Sequence, residues 1–537
     1  MKITRITAAS EQILISLDEV CGACVHVSAH VPLICGDPNA DFTPGRTLFT
    51  WDGMPEDGVI ALPRCADKYD MLICRFDAVC MGETVPGVRY VTDFAEGFSE
   101  YNYPLPEIKR PIGTWCNAAE EDIDMMRFGY MMDELDQIWL MTIHPKEDDI
   151  PYEWNGNTYY FNRKIVEEHD AYHKPLAEKG IPVLLRFINR IKYHLRSAEE
   201  DLFEMIRHPG YETDFDGVEM SAVNLRTETG LNYYCACLDF LFRRYASPDS
   251  PYGWSMIMDI GNEINSQRIW HNAGPMSCEA FMEEYTCALR LAWLLSHKYY
   301  AHYQVHISLE YNFNKIHVPL PEQYYSGREC LEQLQKNCLR DGDFDWGVSS
   351  HPYPENLAYP DFWNDRAPTF SFDTPIITMK NMEVWPAFLS QPAFCYRGEP
   401  RHVLFDEQGF NTRADAPYTE EQGAYAFVLA WLKIRKNPQI DYFLIHRYID
   451  IPFNQEYGLN LGLRRCLGYA DEEHLINIPG PRKMICRAIA AMDTPEEDAW
   501  IRAARAYIGP DLFDAILNPP PIDPGSRAAK KETNFDA

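Results

Sequence analysis

A chain of 537 residues is longer than one hydrophobic core usually organises, so a large domain with a smaller companion is expected. Hydrophobic residues at 46% and aromatics at 13% supply a real core, which argues against disorder, and no internal repeat suggests a solenoid. With 49 Lys+Arg against 80 Asp+Glu, the net charge of -31 repels phosphate backbones and anionic lipid, which excludes nucleic acid and membrane surfaces as expected partners.

The N-terminus, MKITRITAASEQILISLDEV, has no continuous apolar stretch of signal-peptide length, and about 18 uncharged apolar residues never run together. A soluble, cytoplasmic chain is expected. The 16 cysteines sit mostly in apolar runs such as LNYYCACLDF, where a reduced thiol behaves as a small hydrophobe. Cys21 and Cys24, followed by His26 and His30, could be half of a zinc site. A single CxxC with no second ligand pair, set among alternating valines and isoleucines, fits a strand and turn better, so neither a metal nor a cofactor is expected.

From Met1 to about Glu107, short alternating runs separated by turn residues (QILISLD, CVHVSAHVPLI, RTLFTWDG, GVIALP, DMLICRFDAV, GVRYVTDF) have the pattern of a β-sandwich. YNYPLPEIKRPIG then carries three prolines and a change of period, marking a boundary. The expected domains are therefore a β-sandwich-like unit over 1–107, a catalytic barrel over 108–515, and an extended or disordered tail over 516–537, where LNPPPIDPGSRAAKKETNFDA is Pro-rich and then polar.

Within the second domain, apolar strand runs alternate with helical patterns: PIGTW, QIWLMTI, IPVLLRFI, SMIMDI, YQVHISLEY, DWGVSS, HVLFDE and DYFLIH. Eight such units predict an α/β fold of the (β/α)8 TIM barrel type, preceded by the N-terminal β-sandwich. In EAFMEEYTCALRLAWLL, Phe281, Tyr285, Leu289 and Trp293 recur at four-residue spacing, as one inward face of a helix requires. TEEQGAYAFVLAWLKIRKNP opens with Thr and acids and closes with bases and Pro, matching the preferences of helix ends. No G-x-G-x-x-G follows the first strand, which disfavours dinucleotide binding.

Side chains at the carboxyl ends of barrel strands converge on one face, so strand endings are the place to look for chemistry. The expected endings are His144 on strand two, Arg186 and Asn189 on three, Asn262 and Glu263 on four, and Glu310, Tyr311 and Asn312 on five. Strand six ends at His351 and Tyr353, strand seven at Asp406, Glu407 and Gln408, strand eight at His446 and Arg447. Two carboxylates directly after apolar strands, in MIMDIGNE and VLFDEQG, are what glycosidic cleavage needs: one protonated to assist the leaving oxygen, one ionised to attack the anomeric carbon.

Gly261-Asn262-Glu263 and Glu407-Gln408-Gly409 resemble the motifs of the clan of retaining (β/α)8 glycosidases that place Asn-Glu after strand four and a second Glu after strand seven. The resemblance implies Glu263 as acid/base, Glu407 as nucleophile and Asn262 as donor to the sugar 2-hydroxyl. His351-Pro352-Tyr353 also looks like the clan, in which an aromatic or His at that place supports the nucleophile. RYVTDF, WNGNTYYFN, KGIPVLLRFINR, HRYID and GLNLGLR extend a closer resemblance over nearly the whole chain, to a family of uncharacterised bacterial barrel proteins with a β-rich N-terminal domain. Ile264 and Asn265 after the Asn-Glu pair, and His446 with Arg447 where the clan often offers Trp, depart from the clan pattern and allow a charged or unusual sugar.

The expected activity is a retaining glycoside hydrolase acting by double displacement on a β-type glycoside, with a small glycoside or oligosaccharide as partner and a homo-oligomer left open. A barrel that binds carbohydrate or scaffolds without chemistry, or a transglycosylase using the same residues, are the alternatives. Several residues have two readings. Arg186 pairs either with Glu407 or with a structural acid. Trp270 and Trp363 either stack on sugar or pack under their own loops, Asp450 either binds a hydroxyl or holds Arg447, and Asp406 is read as structural.

Overall fold

The computed structural model describes residues 1–18, 22–34, 45–190, 200–451, 458–471 and 476–525. Cys21 and the polar end of the tail from residue 526 lie outside the described residues. The chain divides into two compact units, one of Met1–Pro106, Glu134–Ile307 and His317–Gly347, the other of Glu107–Asp133, Ser308–Ile316 and Val348–Ala537.

The first unit begins with two four-stranded sheets. In one, Ile3–Ala8 and Gln12–Leu17 pair antiparallel, flanked by Val59–Pro63 and by the short parallel Asp93–Phe94. The other is built on Val25–His30, between Thr47–Gly53 and Arg75–Cys80. Val25, Val27 and Ala29 point into the core while His26, Ser28 and His30 point out, the period of two that the sequence showed. His26 is hydrogen-bonded to Asp52 at 2.8 Å and His30 to Thr47 at 3.1 Å.

Eight parallel strands close a barrel: β1 (Ile112–Trp115), β2 (Tyr130–Asp136), β3 (Val183–Ile188), β4 (Ile257–Ile260), β5 (Gln304–Glu310), β6 (Trp346–His351), β7 (Val403–Gln408) and β8 (Ile440–Ile445). Every residue of β3, β4, β5 and β6 is buried, as a strand covered by helices outside and packed side chains inside must be. The expected fold class is therefore observed, with one correction in its strands. β2 is YMMDELD, and the QIWLMTI run instead forms a one-turn helix, Gln137–Leu140, followed by the two-residue strand Met141–Thr142. Three acids in seven residues hide β2 from a search for apolar runs, yet Asp133 and Asp136 are buried.

The helices that follow strands include α1 (Arg163–Glu178), α2 (Glu228–Tyr245), α3 (Cys278–Ser296), α4 (Gly327–Asp341) and α5 (Tyr418–Lys436). α3 starts where the Ser277 hydroxyl accepts the Ala280 N–H at 3.2 Å, and its four-residue stripe of Phe281, Tyr285, Leu289 and Trp293 is buried. The Tyr285 hydroxyl donates to the carbonyl of Ile260 at 2.6 Å, which ties this helix to the last residue of β4. α5 begins one residue ahead of Thr419, whose hydroxyl accepts the Arg413 N–H at 2.7 Å, and its last turn carries Lys433, Arg435 and Lys436 beside the carbonyl end of the helix dipole. No helix among the described residues is long and apolar enough to cross a membrane.

Candidate active site

In the second unit, Glu407 stands on β7 where the pairing register with β8 slips between Phe405 and Gln408. Such irregular steps re-aim a side chain. Its neighbour Asp406 is buried, whereas the Glu407 side chain keeps 16% of its surface exposed. The Tyr353 hydroxyl lies 3.1 Å from Glu407 Oε1 and 3.0 Å from His446 Nδ1. A phenol carries one proton, and an ionised carboxylate can only accept. The consistent assignment has His446 Nδ1–H donating to the Tyr353 oxygen and Tyr353 O–H donating to Glu407. A hydroxyl donated to a carboxylate favours its ionised form.

His351 lies fully buried behind Glu407. Its Nδ1 is 4.0 Å from Glu407 Oε2, and its Nε2 is 3.3 Å from Asp406 Oδ2 and 3.4 Å from Ser308 Oγ. It fixes the strand ends of β5, β6 and β7 against one another. The Gln408 side-chain amide donates to the Leu444 carbonyl, and its backbone carbonyl accepts the His446 N–H at 2.8 Å. Glu310 accepts both the Asn312 backbone N–H at 3.0 Å and its side-chain amide at 2.7 Å, and Tyr311 is half-buried beside it, its carbonyl accepting the Ile377 N–H at 2.9 Å.

Trp115, the last residue of β1, was not singled out from sequence. Its ring lies 5.9 Å from that of His446 and 5.7 Å from the Arg447 guanidinium. The signal was present in PIGTW, a strand ending in an aromatic, but its closeness to His446 follows from β1 pairing with β8. Asp450 is engaged by Lys483 at 2.8 Å and by the Gly462 N–H at 2.8 Å, a buried structural pair. Trp363, edge-on to Phe362, is 5% exposed and packs under its loop.

In the first unit, β4 is followed directly by Gly261-Asn262-Glu263. Gly261 has φ +82, and a Cβ there would sit 2.5 Å from His271 Nδ1, so glycine is required. Glu263 has φ 39 and ψ 49, a left-handed conformation that few residues other than glycine adopt and that concentrates at functional sites. Its carbonyl accepts the Ser266 N–H at 2.8 Å, opening the turn Ile264–Ser266.

Asn262 and Asn189, after β4 and β3, are buried, and the Asn262 Oδ1 and both polar atoms of the Asn189 side chain have no hydrogen-bond partner among the described residues. A buried amide without partners is costly unless a ligand or water completes it. Arg186, on β3, has its guanidinium 3.8 Å from Glu134 on β2 and 4.0 Å from Asp259 on β4. These are structural acids of its own unit, and neither was singled out from sequence.

Trp270 ends the short helix Gln267–Trp270 and is half-buried. His144 does not end a barrel strand. It is exposed, with its imidazole 3.7 Å from the equally exposed Asp201, because β2 lies one segment earlier than the apolar runs suggested.

The pattern of a family of unknown function, DUF5722, matches residues 111–516. No curated protein matches the chain. Among solved structures, the chain is similar to a family 39 glycoside hydrolase from the gut symbiont Bacteroides cellulosilyticus WH2, at 14% identity over 93% of this chain and 83% of that one, with a TM-score of 0.43. It is also similar to a glucosidase from Croceicoccus marinus, at 12% identity over 73% of this chain and 68% of that one, with a TM-score of 0.42.

Proposed function

Because the chain belongs to DUF5722, a family to which no function is attached, its chemistry has to come from its own residues, and we propose that it is a retaining glycoside hydrolase acting on a β-type glycoside. The observation that carries this reading is the Tyr353 hydroxyl 3.1 Å from Glu407 at the carboxyl end of β7. A carboxylate that is partly exposed, re-aimed by a register slip and held by a phenol donor is equipped to be a nucleophile.

In the proposed reaction, Glu407 attacks the anomeric carbon and the bond to the leaving oxygen breaks as Glu263 gives that oxygen a proton. The glycosyl-enzyme ester on Glu407 is then opened by water, which Glu263 deprotonates, and the sugar leaves with its original anomeric configuration. Retention requires the two carboxyl groups about 5 to 5.5 Å apart. Asn262, with a buried oxygen lacking a partner among the described residues, is assigned to the sugar 2-hydroxyl, and Asn189 to a neighbouring hydroxyl. Trp115 is assigned as an aromatic platform for a sugar ring, on the face opposite the Arg447 guanidinium, which lies over the ring at 5.7 Å, with His446 beside it.

A panel of chromogenic glycosides, with the anomer of the first product followed by NMR, tests the proposal. Turnover of a β-glycoside with a β-anomer released first is expected. An α-anomer released first contradicts the nucleophile role of Glu407, and a saccharide bound without turnover favours a binding barrel.

A further inference from the structure

Outside the residues assigned to chemistry, the second unit contains a cleft of about 590 Å³, lined by Glu355, Tyr359, Asp361, Asp365, Tyr418 and Gln422 among others. That volume lies within the range of small-molecule sites. The lining comes from two places: the loop that begins directly after Tyr353, and the first turns of α5, which follows β7. Both lie on the carboxyl-end side of their strands, the side on which barrel enzymes bind substrate.

The acids of this cleft are largely occupied in holding its shape. Asp365 accepts the Glu355 N–H at 3.1 Å and the Thr378 hydroxyl at 2.7 Å. Glu355 accepts two backbone N–H groups from a single oxygen, those of Arg366 at 2.6 Å and Ala367 at 3.0 Å. Asp361 accepts the Asn364 amide at 2.8 Å. This leaves a preformed wall rather than a set of carboxylates converging on a cation.

Gln422 is different. It is 8% exposed, it lines the cleft, and its Oε1 has no hydrogen-bond partner among the described residues. A buried amide oxygen without a donor is an acceptor awaiting one. One turn before it on the same helix, Tyr418 is 54% exposed, and on the facing loop Tyr359 is half-buried with Arg413 over its face at 5.1 Å. Apolar ring faces next to amide and carboxylate acceptors suit a ligand with C–H faces and many hydroxyl donors. Three carboxylates against Arg366 alone disfavour an anion.

We infer that this cleft is a second saccharide subsite, which takes a neutral sugar unit of an oligosaccharide through a hydroxyl donated to Gln422 and a ring face laid on Tyr418. It deepens the glycosidase reading and rests on it for the claim that the bound sugar belongs to the substrate; the binding itself is independent of turnover.

The test uses the full chain carrying Glu407→Gln, titrated by calorimetry and saturation-transfer NMR with neutral β-linked gluco-, manno- and xylo-oligosaccharides from disaccharide to hexasaccharide. At least one longer oligosaccharide is expected to bind. Tyr418→Ala, a change at an exposed side chain, and Gln422→Leu are each expected to weaken it about tenfold, the cost of one good contact. In the otherwise unaltered enzyme, the same two changes should raise KM for that oligosaccharide and leave kcat/KM for an aryl monoglycoside unchanged. Equal binding by parent and variants, no member of the panel bound, or a response to calcium alone each overturns the subsite. Binding that is lost in the Tyr418 and Gln422 variants, from a chain that turns over no glycoside, sinks the hydrolase reading and leaves the subsite standing.

Discussion

Replacing Tyr353 by Phe removes one oxygen atom from a side chain that is 7% exposed and leaves its ring in place. The loss falls on Glu407 Oε1, 3.1 Å away, and on His446 Nδ1, 3.0 Å away, each of which had that hydroxyl as a partner. A hydrogen bond to a charged group contributes about 1.5 to 3 kcal/mol. At about 1.4 kcal/mol per tenfold in rate, Tyr353→Phe should lower kcat/KM by roughly 10- to 150-fold if the bond is needed to present the carboxylate. The assay is steady-state turnover of the best aryl glycoside, with circular dichroism and a melting curve to show that the fold is retained. A positioning role also requires non-additivity: in a Glu407→Gln background the Phe substitution should cost almost nothing further. A variant that folds normally and keeps kcat/KM within about twofold of the parent would refute the reasoning.

Asp136, at the end of β2, accepts the N–H groups of Ile138 at 3.3 Å and Arg190 at 3.2 Å on one oxygen, while its other oxygen is buried with no partner among the described residues. Burial pushes its carboxyl up to about 7, against the pull of Arg190. An unfolded Asp titrates near 3.9, so the stability this raised group contributes is complete below about pH 4 and lost as pH rises through about 7. Asp136→Asn cannot ionise. Relative to the parent it should therefore gain up to ~4 kcal/mol in denaturant titrations between about pH 4 and about pH 8, and an identical difference at both ends would count against a neutral Asp136. Glu284 is 8% exposed between His208, at 2.9 Å, and Arg226, at 3.0 Å. The Gly210 N–H donates to His208 Nδ1 at 3.0 Å, so the imidazole proton sits on Nε2 and points at Glu284. Burial alone would raise the Glu284 carboxyl, but His208 and Arg226 outweigh it and hold it below its ordinary value. Glu284→Gln removes the buried charge shared by His208 and Arg226 and should cost about 3 to 5 kcal/mol in urea titrations; a loss under about 1 kcal/mol would show the triad to be inessential.

Most of the barrel was legible because its strands are buried on both faces and so appear as unbroken apolar runs, as VLLRFI and QVHISLE do. β2 was not, and the reason lies outside its own sequence. Glu134 is matched by Arg186 and Arg190, and Asp136 by the Arg190 N–H just past the next strand end, so its acids depend on partners distant in the chain. Misplacing β2 is what put His144 among the strand endings. The order of strands and the rule that chemistry sits at their carboxyl ends are what nominate Glu263, Glu407 and Tyr353 as candidates, and their roles stand as proposals. The contacts around them were not legible. Trp115 meets His446 only because β1 closes on β8, and Arg186 takes acids from β2 and β4, which no local pattern distinguishes from an acid at the mouth of the barrel.

The central claim is that Glu407 becomes covalently bonded to the sugar, and the most direct measurement is to trap that ester. Incubation with activated 2-deoxy-2-fluoro-β-glycosides of the sugar that the chain turns over, followed by proteolysis and mass spectrometry, should place one fluoroglycosyl group on Glu407, in the peptide VLFDEQGF. A label on another carboxylate, or continued turnover with no label on any residue, would contradict the account.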